Sequence, residues 1–112
     1  MMLKSSITTE EAPMPRIATH PGEVLLEEFM KPHGLSAHAL SLALRVPATR
    51  IGDIIKQRRG VTADTALRLA RYFGVSPEFW LNLQTAYDLS RLRAESGDKI
   101  AQEVAVLEQS VA

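Results

Sequence analysis

Between Ser36 and Pro77 the chain is punctuated so closely that only short helices fit. Ser36, Thr62 and Ser76 are good N-caps, because a short side-chain oxygen accepts one of the unpaired N–H groups of a first turn. Pro47 and Pro77 suit first turns, where a missing N–H is no loss, and Gly60 and Gly74 are placed to stop the helices before them. Within these limits apolar residues recur at helical spacing. Leu40 and Leu44 lie one turn apart, Ile51, Ile54 and Ile55 follow an i, i+3, i+4 pattern, and Ala66, Leu67, Ala70 and Phe73 are expected to face inward. Only Arg45 and Val46 separate the second helix from Pro47, so the second and third helices meet in a tight turn. No stretch alternates with period two for long enough to make a strand. The expected class is all-α, with five or six short helices and no internal repeat.

The flanks extend the pattern. His20-Pro21-Gly22-Glu23 opens a first helix whose Val24, Leu25, Phe29 and Met30 share one side, and Pro32 with Gly34 ends it. A fifth helix, capped by Ser76, is expected to run to about Ser96; Gly97 breaks it, and Asp98 caps a last piece bearing Ile100, Val104 and Leu107. Residues 1–16 mix Ser, Thr, Glu and Pro without a hydrophobic period and read as a flexible arm, with Met1 and Met14 both candidate starts. At 112 residues and 46% hydrophobic content, a single core is expected. The division is an arm over 1–16, a helical domain over 17–96 and a C-terminal helical tail over 97–112. There is no cysteine, no apolar run of membrane-spanning length and no signal-peptide centre, so the expected setting is the cytoplasm.

Net charge is zero, which taken alone argues against a nucleic-acid partner. The distribution argues for one. Residues 44–72 hold seven basic residues against two acidic ones, a net of +5, while residues 1–30 and 73–112 each carry −3. Salt screens charges beyond ~10 Å, so the local basic patch outweighs the sum.

Two short helices with a tight turn, the second flanked by arginines, are the elements of a helix-turn-helix, whose second helix enters the DNA major groove. Such a helix needs an apolar side against the core, polar groups for base edges opposite, and flanking cations for phosphates. With Ile51 at the core, a helical wheel puts Thr49, Gly52, Asp53 and Lys56 on the far side, with Arg50 and Gln57 beside them. Arg50 can bond guanine in bidentate fashion and Thr49 can touch a thymine methyl. Lys56, Arg58 and Arg59 are placed for phosphates. Asp53 either orients Arg50 or accepts from cytosine. Arg45 in the turn, with Ser36 and His38 at the start of the second helix, completes the candidate DNA-binding set. The competing reading is a solvated face on an ordinary helical bundle.

Residues 20–89 resemble the HigA-type antitoxins of the Xre/Cro-like helix-turn-helix group. The resemblance rests on HPGE, the R-I-x-[DE]-I core of the third helix, T-A-L-R-L-A-R-Y-F-G and S-P-E-F-W-L-N-L-Q, here at residues 20–23, 50–54, 65–74 and 76–84. It implies a λ-repressor-like five-helix domain, here with an additional C-terminal helical segment, that dimerises on a palindromic operator and represses its own operon. It also implies a HigB-like partner, a RelE-fold toxin that cuts mRNA and is neutralised by complex formation. Two positions depart from the pattern: Arg45 stands where the family usually has a turn glycine, and Gly52 where it tends to have a polar residue, often Asn.

His20, His33 and His38 have no cysteine and no i, i+4 histidine partner, so no metal or other cofactor is expected. Glu27 and Glu28 are adjacent on a helix, about 100° apart, and read as a solvated face instead of a catalytic pair. No phosphate loop or nucleophile constellation appears, and no enzymatic activity is expected. Two other functions compete with the antitoxin reading: a free-standing helix-turn-helix repressor without a toxin, and a protein-binding module whose DNA surface has decayed.

The fifth helix shows two apolar stripes. Phe79, Trp80, Leu83, Ala86 and Tyr87 are expected to close the core, while Leu81, Leu89 and Leu92, with Thr85 between them, are expected to meet the same helix of a second subunit. The alternative is that the C-terminal helix covers both stripes within one subunit.

Overall fold

The computed structural model describes residues 16–108. The expected N-terminal arm, save Arg16, and residues 109–112 of the expected tail lie outside the described residues. All regular structure among the described residues is helical: α1 (Pro21–Val24) with a π-helical continuation (Leu25–Met30), α2 (Ala37–Leu44), α3 (Ala48–Ile55), α4 (Ala63–Phe73) and α5 (Pro77–Glu103). No helix among them is long and apolar enough to cross a membrane.

The N-caps form as the sequence predicts. Ser36, Thr62 and Ser76 each accept from the backbone N–H three residues on, and the buried His20 caps α1 by accepting from Gly22 N–H at 2.8 Å. Two details of the early helices differ from expectation. After α1 the backbone bonds five residues back, as in Lys31 N–H to Leu26 C=O at 3.0 Å. That winding carries residues five apart toward one side, and Leu25 and Met30, both buried, are such a pair. Secondly, α3 does not run to Gly60. It stops at Ile55, and Gln57 supplies the left-handed residue, at φ 62°.

α2 and α3 end alike. Arg45, at φ 61° and ψ 46°, donates to Leu42 C=O while Val46 N–H reaches Ser41 C=O; Gln57 donates to Ile54 C=O while Arg58 N–H reaches Asp53 C=O. These are paired C-terminal closures of the Schellman type, built twice without glycine.

Leu25, Met30, Leu40, Leu44, Ile51, Ile54, Val61, Ala66, Leu69 and Trp80 form the core, fed by every helix. Gly22 lets α1 press against the end of α3, because a Cβ there would collide with the Ile54 carbonyl. Leu67 is not inward as expected but 61% exposed: Thr65, Ala66 and Leu69 define the buried side, and Leu67 is turned about 100° from Ala66. Of the expected core stripe of α5, Trp80 is fully buried against Phe29, Leu83 and Tyr87 are half-buried, and Phe79 and Ala86 lie exposed at the rim.

Gly97 does not break α5. The helix passes through it to Glu103, so residues 97–103 are no separate helix, and Val104 leaves in an extended conformation. An interior glycine costs only about 1 kcal/mol, less than the hydrogen bonds forgone by stopping there. The chain enters beside the same helix, where Ala18 N–H donates to Ser90 Oγ at 2.8 Å. The 27 residues of α5 span ~40 Å and make the molecule long, 59 × 42 × 24 Å.

Candidate nucleic-acid interface

α3 is fixed by Ile51 and Ile54, both fully buried, and so presents its other side outward. Thr49 is exposed there and Gly52 and Asp53 are half-buried; in the turn that follows α3, Lys56, Gln57 and Arg59 are exposed and Arg58 is 62% exposed. Thr49 and Lys56 stand outward as expected, while Gly52 and Asp53, expected on the same far side, do so only in part. Arg50, however, is not paired with Asp53. Its Nη1 lies 2.7 Å from Asp64 Oδ2 in the first turn of α4, and Asp53 Oδ1 instead accepts from Arg58 Nη2 at 3.2 Å.

The Arg50 pair belongs to a longer chain. Asp64 Oδ2 also accepts from Arg68 Nε at 2.9 Å, and Arg68 Nη1 donates to Leu44 C=O, an unpaired carbonyl at the end of α2, at 2.9 Å. One carboxylate thus ties α3, α4 and α2 together. The hydrogen bonds from Arg68 and then Arg50 hold the Asp64 carboxyl below the usual carboxylate range, so it is ionised at neutral pH. Arg50 and Arg59 line one small cleft with Gly60, Thr62 and Thr65, at the N-terminus of α4. Two guanidinium groups, two threonine hydroxyls and a helix N-terminus make that cleft attractive to an anionic backbone.

Comparison with known proteins agrees with this geometry. The family model described as Helix-turn-helix matches residues 26–80. The chain is 60% identical over 84 residues to Virulence-associated protein I of Dichelobacter nodosus, covering 75% of this chain and 76% of that one. It is 41% identical over 93 residues to Antitoxin HigA-1 of Vibrio cholerae, covering 80% and 87%. It superposes on the Pseudomonas aeruginosa antitoxin HigA, solved with the higBA promoter, with a TM-score of 0.77 at 43% identity, covering 80% and 98%. The chain belongs to the HigA-type antitoxins of the Xre/Cro-like helix-turn-helix family.

In this HigA-family chain Arg45 is exposed and stands in the left-handed region that glycine adopts freely, a strain on the order of 1 kcal/mol. At Gly52 a Cβ would meet nothing within 4 Å, so no close contact inside the subunit requires the glycine. Ser36 and His38 are exposed at the far end of α2 from the turn, and no hydrogen bond or ion pair among the described residues ties them to α3; the Ser36 oxygen is committed to its cap. His33 is exposed, its Nδ1 2.7 Å from Phe29 O. Among the described residues no cluster of three or more potential metal ligands forms.

The expected dimer stripe is divided. Leu81 is half-buried and packs on the subunit's own core, whereas Thr85, Leu89 and Leu92 are exposed, the two leucines 47% and 45%. Because α5 runs on without turning back, no C-terminal helix among the described residues covers them. Sequence reading missed Asp64 and Arg68 as organisers of Arg50, and Gln57 as a left-handed residue. The i, i+4 spacing of Asp64 and Arg68 marks their own pair, but nothing local marks the reach to Arg50 and Leu44 on other helices, and Gln57 holds a conformation that glycine usually takes.

Proposed function

We propose that this HigA-family chain is the antitoxin of a type II toxin–antitoxin module. As a dimer it binds a palindromic operator to repress its own operon, and it neutralises a RelE-fold, mRNA-cleaving toxin by forming a complex with it in the cytoplasm. The observation that carries the operator half is the outward face of α3, where Thr49 and the Asp64-held Arg50 sit above buried Ile51 and Ile54. In this reading Thr49 and Arg50 read bases, Gly52 and Asp53 border them, and Lys56, Arg58, Arg59, Arg45, His38 and Ser36 serve the backbone. Leu89 and Leu92, with Thr85 and the outer edge of Leu81, join two subunits, placing two copies of α3 about 34 Å apart or a multiple of it. The toxin half is supported by the relatives' identity as antitoxins.

Co-purification with the product of the neighbouring gene, followed by footprinting upstream DNA with and without that product, tests both halves. A palindromic, salt-sensitive footprint and a stable complex are expected. A footprint with no co-purifying neighbour leaves a free-standing repressor, and a complex with no footprint leaves a protein-binding module.

A further inference from the structure

Among the described residues, the loop that carries Arg58 and Arg59 is hydrogen-bonded to α5 through one side chain. Between Ile55 and Ala63 the early turn closes on α3 itself, through Gln57 and Arg58. Further on, the Val61 N–H donates to Gln84 Oε1 at 2.7 Å, across 23 residues of sequence. Val61 is buried, and a buried N–H left without a partner is costly. Gln84 Nε2 donates to Asp88 Oδ1 at 3.0 Å, one turn along α5. An ionised carboxylate only accepts, so the amide is oriented with its nitrogen toward Asp88 and its oxygen toward Val61. Gly60 completes the seat, since a Cβ there would stand 2.8 Å from Gln84 Cδ and Oε1.

We propose that Gln84 is a positioning residue for operator binding, holding the Arg58–Arg59 loop so that both guanidinium groups meet backbone phosphates. It touches no DNA itself. Gln84 is next to Thr85 on the helix that carries the dimer stripe, so the clamp links the phosphate loop to the subunit junction. The inference rests on the operator reading above, with Arg58 and Arg59 as phosphate contacts.

The test compares the full chain with Gln84→Leu, Gly60→Ala, Gln84→Glu, and Gln84→Glu combined with Asp88→Asn. Two quantities are measured: amide exchange at Val61 in the free protein, and the slope of log affinity for upstream operator DNA against log salt. Gln84→Leu is expected to speed Val61 exchange at least tenfold while α3 amides keep their protection. It is also expected to flatten the salt slope by about 0.9 for each phosphate that Arg58 or Arg59 no longer neutralises. Gly60→Ala displaces the amide without deleting a polar group, and gives the same answer where Gln84→Leu does not fold. Gln84→Glu sets two carboxylates against each other; adding Asp88→Asn rebuilds a donor–acceptor pair and is expected to restore both readouts. Unchanged Val61 exchange, or a loosened loop with the wild-type salt slope, overturns the clamp. A wild-type protein without any salt-dependent shift sinks the operator reading itself, and the clamp's role with it.

Discussion

Arg50 on α3 and Asp64 on α4 meet at 2.7 Å, with Arg68 on the far side of the same carboxylate, so the candidate base-reading arginine is aimed from a neighbouring helix. Arg50→Ala is expected to weaken operator binding by about 1–3 kcal/mol and relax preference at one base pair. Asp64→Asn removes the aim and a negative charge together. Non-specific DNA affinity is then expected to rise while operator preference falls, which competition binding measures as a smaller specificity ratio. Asp64 is held below the usual carboxylate range, so this effect of the pair persists to neutral pH and above, and is lost only in acid, as pH falls through that lowered value.

Gly22 and Gly52 should respond oppositely to alanine. At Gly22 the new Cβ meets the Ile54 carbonyl, backbone that cannot move without opening the α1–α3 contact, and a loss of about 3 kcal/mol or more is expected. At Gly52 it meets open space inside a helix, and a gain of about 1 kcal/mol is expected. Urea unfolding of the two variants checks both signs.

Arg45→Gly and Gln57→Gly each relieve a left-handed residue and should stabilise the fold by roughly 1 kcal/mol, raising Tm by about 4–8 °C. They should differ on DNA. Arg45→Gly is expected also to lower the salt slope by about 1, the share of one phosphate contact, and Gln57→Gly to leave it alone. Equal slopes would remove Arg45 from the interface.

His20 is buried and caps α1 through an unprotonated Nδ1. Burial lowers its pKa, against the smaller upward pull of Asp88. The unfolded chain therefore takes up protons more readily, and the contribution of His20 is fully present above the ordinary value of about 6.5 and lost as pH falls through the lowered folded value. His20→Asn keeps a capping oxygen without the titration. Its unfolding midpoint is expected to fall less than that of the wild type between pH 7.5 and pH 5; parallel curves would contradict the role given to His20.

Leu89 and Leu92 are the exposed members of the proposed subunit stripe, whereas Leu81 is shared with the core. Replacing both Leu89 and Leu92 with Glu is expected to give a folded monomer with operator affinity reduced at least tenfold, read by light scattering and gel shift. A persisting dimer would place the subunit contact elsewhere.

What the sequence determined by itself was local. N-caps bond within three residues, apolar stripes follow the period of one helix, and the turn between α2 and α3 is too short to allow alternatives; hence an all-α fold and the outward face of α3 were legible. Tertiary structure decided whatever depended on a partner remote in sequence or on competition between whole elements. Arg50 chose Asp64, 14 residues away, over Asp53, three away, because α2 packs against both α3 and α4 and so brings the first turn of α4 to the guanidinium. Gly97 stayed helical because a preference of about 1 kcal/mol does not outweigh the bonds of a continuing helix. Leu67 lies outside because Thr65, Ala66 and Leu69 already fill the contact, and Gln84 reaches Val61 only because α5 crosses the loop after α3. Periodicity tells which residues share a side of a helix; only the packed molecule decides which side is covered and which polar groups are left to meet.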